Sequence, residues 1–194
     1  MSLDLTKLKG SIPDSVYNLL STELPKYEIN TVLRVAHFLG QISHESGNFT
    51  IKTESLYYKT PQRIVAIWPS RFNLTGTGGK KNANDYIRNE EKLAGAVYDG
   101  RMGNDKPGDG FKFRGGGFLQ LTGKGTYKGY AEYLKKTVEE TSDLLRSDNY
   151  FALDCAMWEY VRVMKLNPIA DQGMNDNVIK KITMNKQVDP LDQT

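Results

Sequence analysis

Cysteine is almost missing from this chain. Cys155 alone stands among 194 residues, so no intramolecular disulfide can form, as suits a protein made in a reducing compartment. Histidine is nearly as scarce, with His37 and His44 the whole supply. A zinc triad would have to recruit carboxylates, and the helical zinc-hydrolase pattern needs a second histidine one turn beyond His44, where Asn48 stands. No metal and no cofactor is expected. Long apolar runs are lacking too. No stretch approaches the roughly 18 to 20 uninterrupted apolar residues of a membrane span, and the start MSLDLTKLKGSIPDS lacks the charged-then-apolar pattern of a secretory signal. Cytoplasmic synthesis without stable membrane insertion is the expectation. Nor is charge of one sign concentrated: 26 Lys and Arg oppose 23 Asp and Glu for a net charge of +3, and the longest basic cluster is a lysine pair. A nucleic-acid module carries a denser basic stripe with aromatic interleaving, so nucleic acid is not an expected partner. The small positive excess still favours anionic polymers such as bacterial wall material.

What is present reads mainly as helix. With 39% hydrophobic and 25% charged residues, the length fits one domain over residues 1–194, built as two lobes around a cleft and acting as a monomer. Pro13 is placed like a first-turn proline opening PDSVYNLLSTEL. Asn30 or Thr31 would cap TVLRVAHFLGQISHE, where Val32, Val35, Ala36, Leu39 and Ile42 recur at helical steps. Residues 61–68, PQRIVAIW, predict a short helix, and LTGTGGKKNAND at 74–85 a flexible loop. Asn149 would cap YFALDCAMWEYVRVM, with Phe151, Cys155, Trp158 and Val161 on one face, and NDNVIKKITMN is a further helical candidate. Nine of the 18 glycines fall between Gly100 and Gly125. That density predicts a Gly-rich loop region with a small hairpin, where backbone approaches something bound. No internal repeat is present.

His37, Gln41, His44 and Glu45 fall within a sector of about 100° on the second helix. The rest of that helix is apolar enough to be buried, so the polar stripe is expected to face a cleft rather than open water. Nine residues after Glu45 comes Glu54, in a looser aromatic stretch. Glycoside hydrolysis requires two such carboxyl groups, one protonated for the leaving oxygen and one ionised to activate water or attack carbon. Burial at a helix end favours the neutral form and a polar loop the ionised form, which is the division of labour these positions offer. Other chemistries fit less well. Cys155 lies on an apolar helix face, as core cysteines do, and FRGGGFLQLTGKG lacks the four-residue gap before Gly-Lys-Ser/Thr that a phosphate loop needs.

HFLGQISHESGNF, TESLYY, ANDYIRNEEKLAGAVYDGRMGN, GDGFKFRGGGFLQLTGKGTY and WEYVRVMKLNPIADQG occur in that order. Together they resemble the glycoside hydrolase family 19 chitinases, most closely the bacteriophage endolysins built on that fold, from about residue 30 to 175. The resemblance implies a mainly α, lysozyme-like bilobed α+β domain. It further implies that Glu45 is the general acid, Glu54 the general base, Thr122 a hydroxyl that helps position water, and Gln120 a groove-lining residue. Tyr58, His44, Arg101, Arg114 and Asn185 are the other expected substrate contacts. Family members commonly carry a second arginine where Gly116 stands, an asparagine where Thr126 stands, and Asn-Gly-Gly where Asn185, Lys186 and Gln187 stand. Arg114 or Arg101 would then supply the missing charge. The implied activity is cleavage of β-1,4 bonds in peptidoglycan by inversion, with the protein held in a host bacterial cytoplasm before release to the wall. Chitin hydrolysis and wall-glycan binding without cleavage are the alternatives.

Overall fold

The computed structural model describes residues 3–173. Asn185 and the helix expected over 175–185 lie outside them. Among the described residues the fold is mainly helical, and no helix is long and apolar enough to cross a membrane.

The chain opens with α1 (Asp14–Glu23), which buries Val16 and Leu20; Pro13 occupies its N-cap rather than its first turn. The second helix, α2 (Val32–Glu45), starts where the Thr31 hydroxyl accepts the Arg34 amide at 3.2 Å. Val35, Phe38, Leu39 and Ile42 recur at three- and four-residue steps along it and are all buried. After α3 (Pro61–Ile67), two short strands pair in parallel, β1 (Phe72–Asn73) against β2 (Lys81–Asn82). The expected loop over 74–85 is therefore shorter, because β2 and a 3-10 turn at Ala83–Tyr86 that buries Ala83 occupy its second half. Next come α4 (Glu90–Tyr98), α5 (Asp109–Lys112), α6 (Lys124–Leu134) and α7 (Val138–Ser147). The last starts in a capping box between Thr137 and Glu140.

A long final helix is present as α8 (Asn149–Trp158), but Asp148 rather than Asn149 caps it, accepting the Tyr150 amide at 2.7 Å. The Asn149 amide instead reaches the Ser15 hydroxyl. Burial runs unbroken from Ala152 to Met157, so α8 has no single apolar face; it passes through the middle of the core. It continues as a π-helical segment, Glu159–Val163, and the described chain ends just after α9 (Asn167–Ala170).

The hairpin expected among the glycines is reduced to one antiparallel bridge between Gly116 and Leu121, whose amides and carbonyls bond reciprocally at 3.0 and 2.8 Å. The strand-forming material there is too short, since turns claim Gly117 to Gln120.

Apolar side chains gather in three clusters among the described residues. One cluster unites α1, α2 and α8 through Val16, Leu20, Phe38, Ile42 and Leu153. A second is confined to the segment from Leu56 to Val97, holding Ile64, Phe72 and Leu93. A third, with Phe113, Leu121, Tyr127 and Leu145, joins α6 and α7. This layout agrees with a lysozyme-like α+β architecture, and the segments 46–55 and 113–123 run between the clusters.

Candidate active site

Glu45 is the last residue of α2, carried by the helix whose Phe38, Leu39 and Ile42 belong to the first core. Glu54 stands two residues before Leu56, which is anchored in the second core. Glu45 is thus carried by an element of the first cluster, and Glu54 stands beside the second.

The turn between them has an uncommon backbone. Gly47, Asn48 and Phe49 follow one another with φ of 54°, 58° and 63°, a left-handed run that non-glycine residues seldom adopt and that tends to persist where surroundings enforce it. Ser46 enforces it here. Its buried hydroxyl donates to Ile42 O at 2.5 Å and accepts the Phe49 amide at 2.8 Å. Phe49 then meets Phe118 edge-on with centroids 5.6 Å apart, tying the end of α2 to the glycine-rich turn.

That turn also grips Glu54. The Glu54 amide donates to Gly115 O at 2.8 Å and the Gly117 amide to Lys52 O at 2.9 Å, so residues 52–54 lie antiparallel to 115–117. On the side-chain side, the Gly115 amide donates to Glu54 Oε2 at 3.0 Å and the Tyr98 hydroxyl to Oε1 at 2.8 Å. Gly115 packs closely here, since a Cβ would come within 2.6 Å of Gln120 Oε1, the end of a flexible side chain, and 3.0 Å of Glu54 Cβ, so both would have to give. Gln120, itself at φ 56°, donates through Nε2 to Gly117 O. Thr122 Oγ1 donates to Gln120 O at 2.9 Å, leaving its lone pairs to accept. The segment of Glu54 is therefore paired with the glycine-rich turn that carries Gln120 and Thr122.

Glu45 and Glu54 are both half-buried. The expected contrast between a buried acid and a base in a loose polar loop does not hold, because backbone pairing and the Tyr98 hydroxyl take Glu54 out of open solvent. What differs is the partner set. Gln41 Nε2 donates to Glu45 Oε1 at 3.0 Å across one helical turn, whereas Glu54 accepts a backbone amide and a phenol.

The polar stripe on α2 is split. Gln41 and Glu45 stay at the half-buried edge, His44 is exposed, and His37 is only 8% exposed with no hydrogen-bond partner for Nε2 among the described residues. Tyr58 packs edge-on against Trp68, and burial followed by the nearby Glu54 charge pushes its phenol above the ordinary range. It therefore lies within electrostatic reach of Glu54. Arg114 turns its guanidinium to backbone, donating to Phe111 O at 2.6 Å and Glu54 O at 3.3 Å while lying over the Phe111 ring. Arg101 sits in the turn beyond Tyr98, where its Nη1 is buried without a partner among the described residues.

Gly116 has no room for the arginine of the family pattern. A Cβ there would collide with the Tyr127 hydroxyl, which donates to Arg114 O. Arg146 from α7 packs against the same spot and donates to Lys112 O at 2.8 Å. Burial, then repulsion from Arg146, holds the Arg114 guanidinium below its ordinary range. A second guanidinium thus stands beside Arg114, supplied by another helix.

Sequence reasoning missed Tyr98, Gly115 and Arg146 as site residues. Gln41, already part of the polar stripe, stands four residues from Glu45; the three missed residues reach the site only through tertiary packing. Among the described residues, no three His, Cys, Asp or Glu side chains cluster as a metal site.

No family model matches this chain. It is similar to a Haemophilus influenzae strain Rd protein described as a glycosyl hydrolase family 19 domain-containing protein, 29% identical over 159 residues that cover 79% of this chain and 75% of that relative.

Proposed function

We propose that this chain is a glycosidase that cleaves β-1,4 bonds in the amino-sugar polymer of a bacterial wall, acting as a single-domain, monomeric lysin. The observation that carries the reading is the grip on Glu54: a carboxyl group accepting at both oxygens, on a segment paired with the glycine-rich turn that carries Gln120 and Thr122. The glycosyl hydrolase description of the Haemophilus relative points to the same chemistry.

In this reading Glu45 gives its proton to the leaving oxygen as the C1–O bond breaks. Glu54 takes a proton from a water whose oxygen attacks C1 from the opposite face, giving inversion. Each Glu54 oxygen keeps lone-pair capacity for that water after accepting Tyr98 or Gly115, and Thr122 can accept the water's other hydrogen. An inverting pair stands about 6.5–9.5 Å apart to leave space for the water. Gln120, Tyr58 and His44 would contact the sugar, and Arg114 with Arg146 would shape the positive side of the site. Arg101, with its buried unpartnered nitrogen, is placed beside Tyr98 to serve the same region. Asn185 would complete the groove in the family pattern.

The test is release of reducing sugar from purified peptidoglycan and from a soluble chitin oligomer, with wild type and Glu45→Gln in parallel. General acid–base catalysis contributes about 10²–10⁴-fold, so Glu45→Gln should lose at least about a hundredfold in rate with its fold intact. Glu54→Gln should show a similar fall. Cleavage of chitin alone would make the protein a chitinase. Retention on wall fragments without cutting would favour a binding protein in which loss of the Gly116 arginine disabled catalysis.

A further inference from the structure

A patch formed by α6, the end of α8 and the residues around Tyr27 collects four of the 11 tyrosines and one of the two tryptophans. Tyr130 and Tyr133 of α6 stack with centroids 6.0 Å apart and planes 21° apart, and Trp158 at the end of α8 leans on them at 5.3 and 6.3 Å. Tyr27 lies beneath, buried, and its hydroxyl is 3.0 Å from that of Tyr133. The buried Asp154 carboxylate fixes the arrangement by accepting Tyr27 at 2.8 Å and Tyr130 at 2.6 Å. Trp158 lies against Gly129 of α6, where an added Cβ would make ordinary van der Waals contact with the indole at 3.4 Å. Yet Tyr133 remains 48% exposed. Cations border the rings: Lys26, paired with Glu23, lies 5.9 Å over Tyr150, and Arg162 lies 5.9 Å over Tyr27. Arg162 comes from the π-helical segment that begins directly after Trp158, a deformation that recurs at functional sites.

Resting on the glycosidase reading above, we infer that Tyr133, Trp158 and their bordering cations form a second glycan platform, which holds a stretch of the same wall polymer outside the cleft. The chemistry of the patch selects that ligand. An exposed ring already immobilised by stacking offers flat apolar area at little further entropy cost, which suits the C–H face of a pyranose. Phenol, ammonium and guanidinium groups at its edge suit hydroxyls and the carboxylates of an anionic wall strand. A lipid surface would instead call for a broad cluster of aliphatic side chains, whereas the exposed ring here is the Tyr133 phenol, with Val163 an exposed aliphatic next to Arg162. The platform is distinct from the candidate active site. Tyr133 lies ten residues along α6 from Gly123, which bonds to Phe113 at the glycine-rich turn, a run of about 15 Å at 1.5 Å per residue.

The experiment compares wild type, Tyr133→Ala and Tyr133→Phe in two assays: co-sedimentation with insoluble peptidoglycan sacculi in a Glu45→Gln background, and turnover of sacculi against a soluble muropeptide oligosaccharide. Tyr133→Ala should lower retention and sacculus turnover by about fivefold or more while soluble turnover stays unchanged, and Tyr133→Phe, which keeps the ring, should stay near wild type. Unchanged retention in Tyr133→Ala would overturn the platform, as would an equal fall on soluble substrate, which would mean damage to the cleft or fold. If the unmodified protein binds but does not cut, and Tyr133→Ala still loses binding, the glycosidase reading fails and the platform stands. If it neither binds nor cuts, both fail.

Discussion

Tyr98 reaches a carboxylate 44 positions earlier in the chain, and its 2.8 Å hydrogen bond to Glu54 is the contact most open to a single-atom test. Tyr98→Phe removes the hydroxyl and leaves the ring's packing. Hydrogen bonds to charged groups contribute about 1.5–3 kcal/mol, so the rate should fall at least about tenfold while the thermal midpoint stays within a few degrees. Steady-state kinetics beside a melting curve would decide it, and an unchanged rate would remove Tyr98 from the site. Glu45 and Glu54 stand out in the sequence as candidates, because the first closes a helix of clear apolar period and the second follows at a short, motif-like distance. Their partners were not. Gly115 matters through an amide and the absence of a Cβ, and neither leaves a mark in a residue pattern.

At the scale of elements, the glycine-rich segment shows how a short stretch can be tightly specified without regular structure. Gly116 faces the Tyr127 hydroxyl and the Arg146 stem so closely that any side chain must displace them. Restoring the family-type residue with Gly116→Arg should therefore lower stability by several kcal/mol through overpacking and loss of the Tyr127 to Arg114 bond, rather than raise activity. A melting curve that matches wild type would show that the turn can open to take the arginine. The same segment explains why a hairpin was expected and only one bridge formed: Phe118 and Leu119 leave the turn to join the first core, while Phe113 and Leu121 join another. Helices were more legible. Thr31 and the apolar steps of α2 announced it, whereas α8 misled at its cap because Asp148 and Asn149 are both good capping residues, and Ser15 offered Asn149 another partner.

Considered as a whole, the molecule draws part of its stability from carboxylates at its periphery. The Lys124 ammonium holds Asp105, the Thr137 amide holds Glu140, and the Arg34 guanidinium holds Asp171, each below the ordinary carboxylate range. Their folded values are depressed, so their contribution is complete above the unfolded carboxylate range and is lost as pH falls through the lower folded values. Urea unfolding followed between pH 6 and pH 3 should show the midpoint declining on the acid side. Added salt should shrink the Asp105 and Asp171 parts of that decline, because both pairs are exposed. A midpoint independent of pH over this interval would contradict the assignment.

The sequence by itself determined the helical class and the helices α1, α2, α3 and α8 up to their caps, because these depend on local period and capping chemistry, and it singled out Glu45, Glu54, Gln120 and Thr122 as candidates through short ordered motifs; α4, α6 and α7 were not expected from it. Only the tertiary structure decided which groups serve them. The separation of the cores ties Glu45 to one cluster and sets Glu54 beside another, packing carries Tyr98 and Arg146 to the glycine-rich turn, and the contact of α6 with α8 assembles the Tyr133 platform. Those outcomes depend on distances between residues tens of positions apart, which no local pattern encodes.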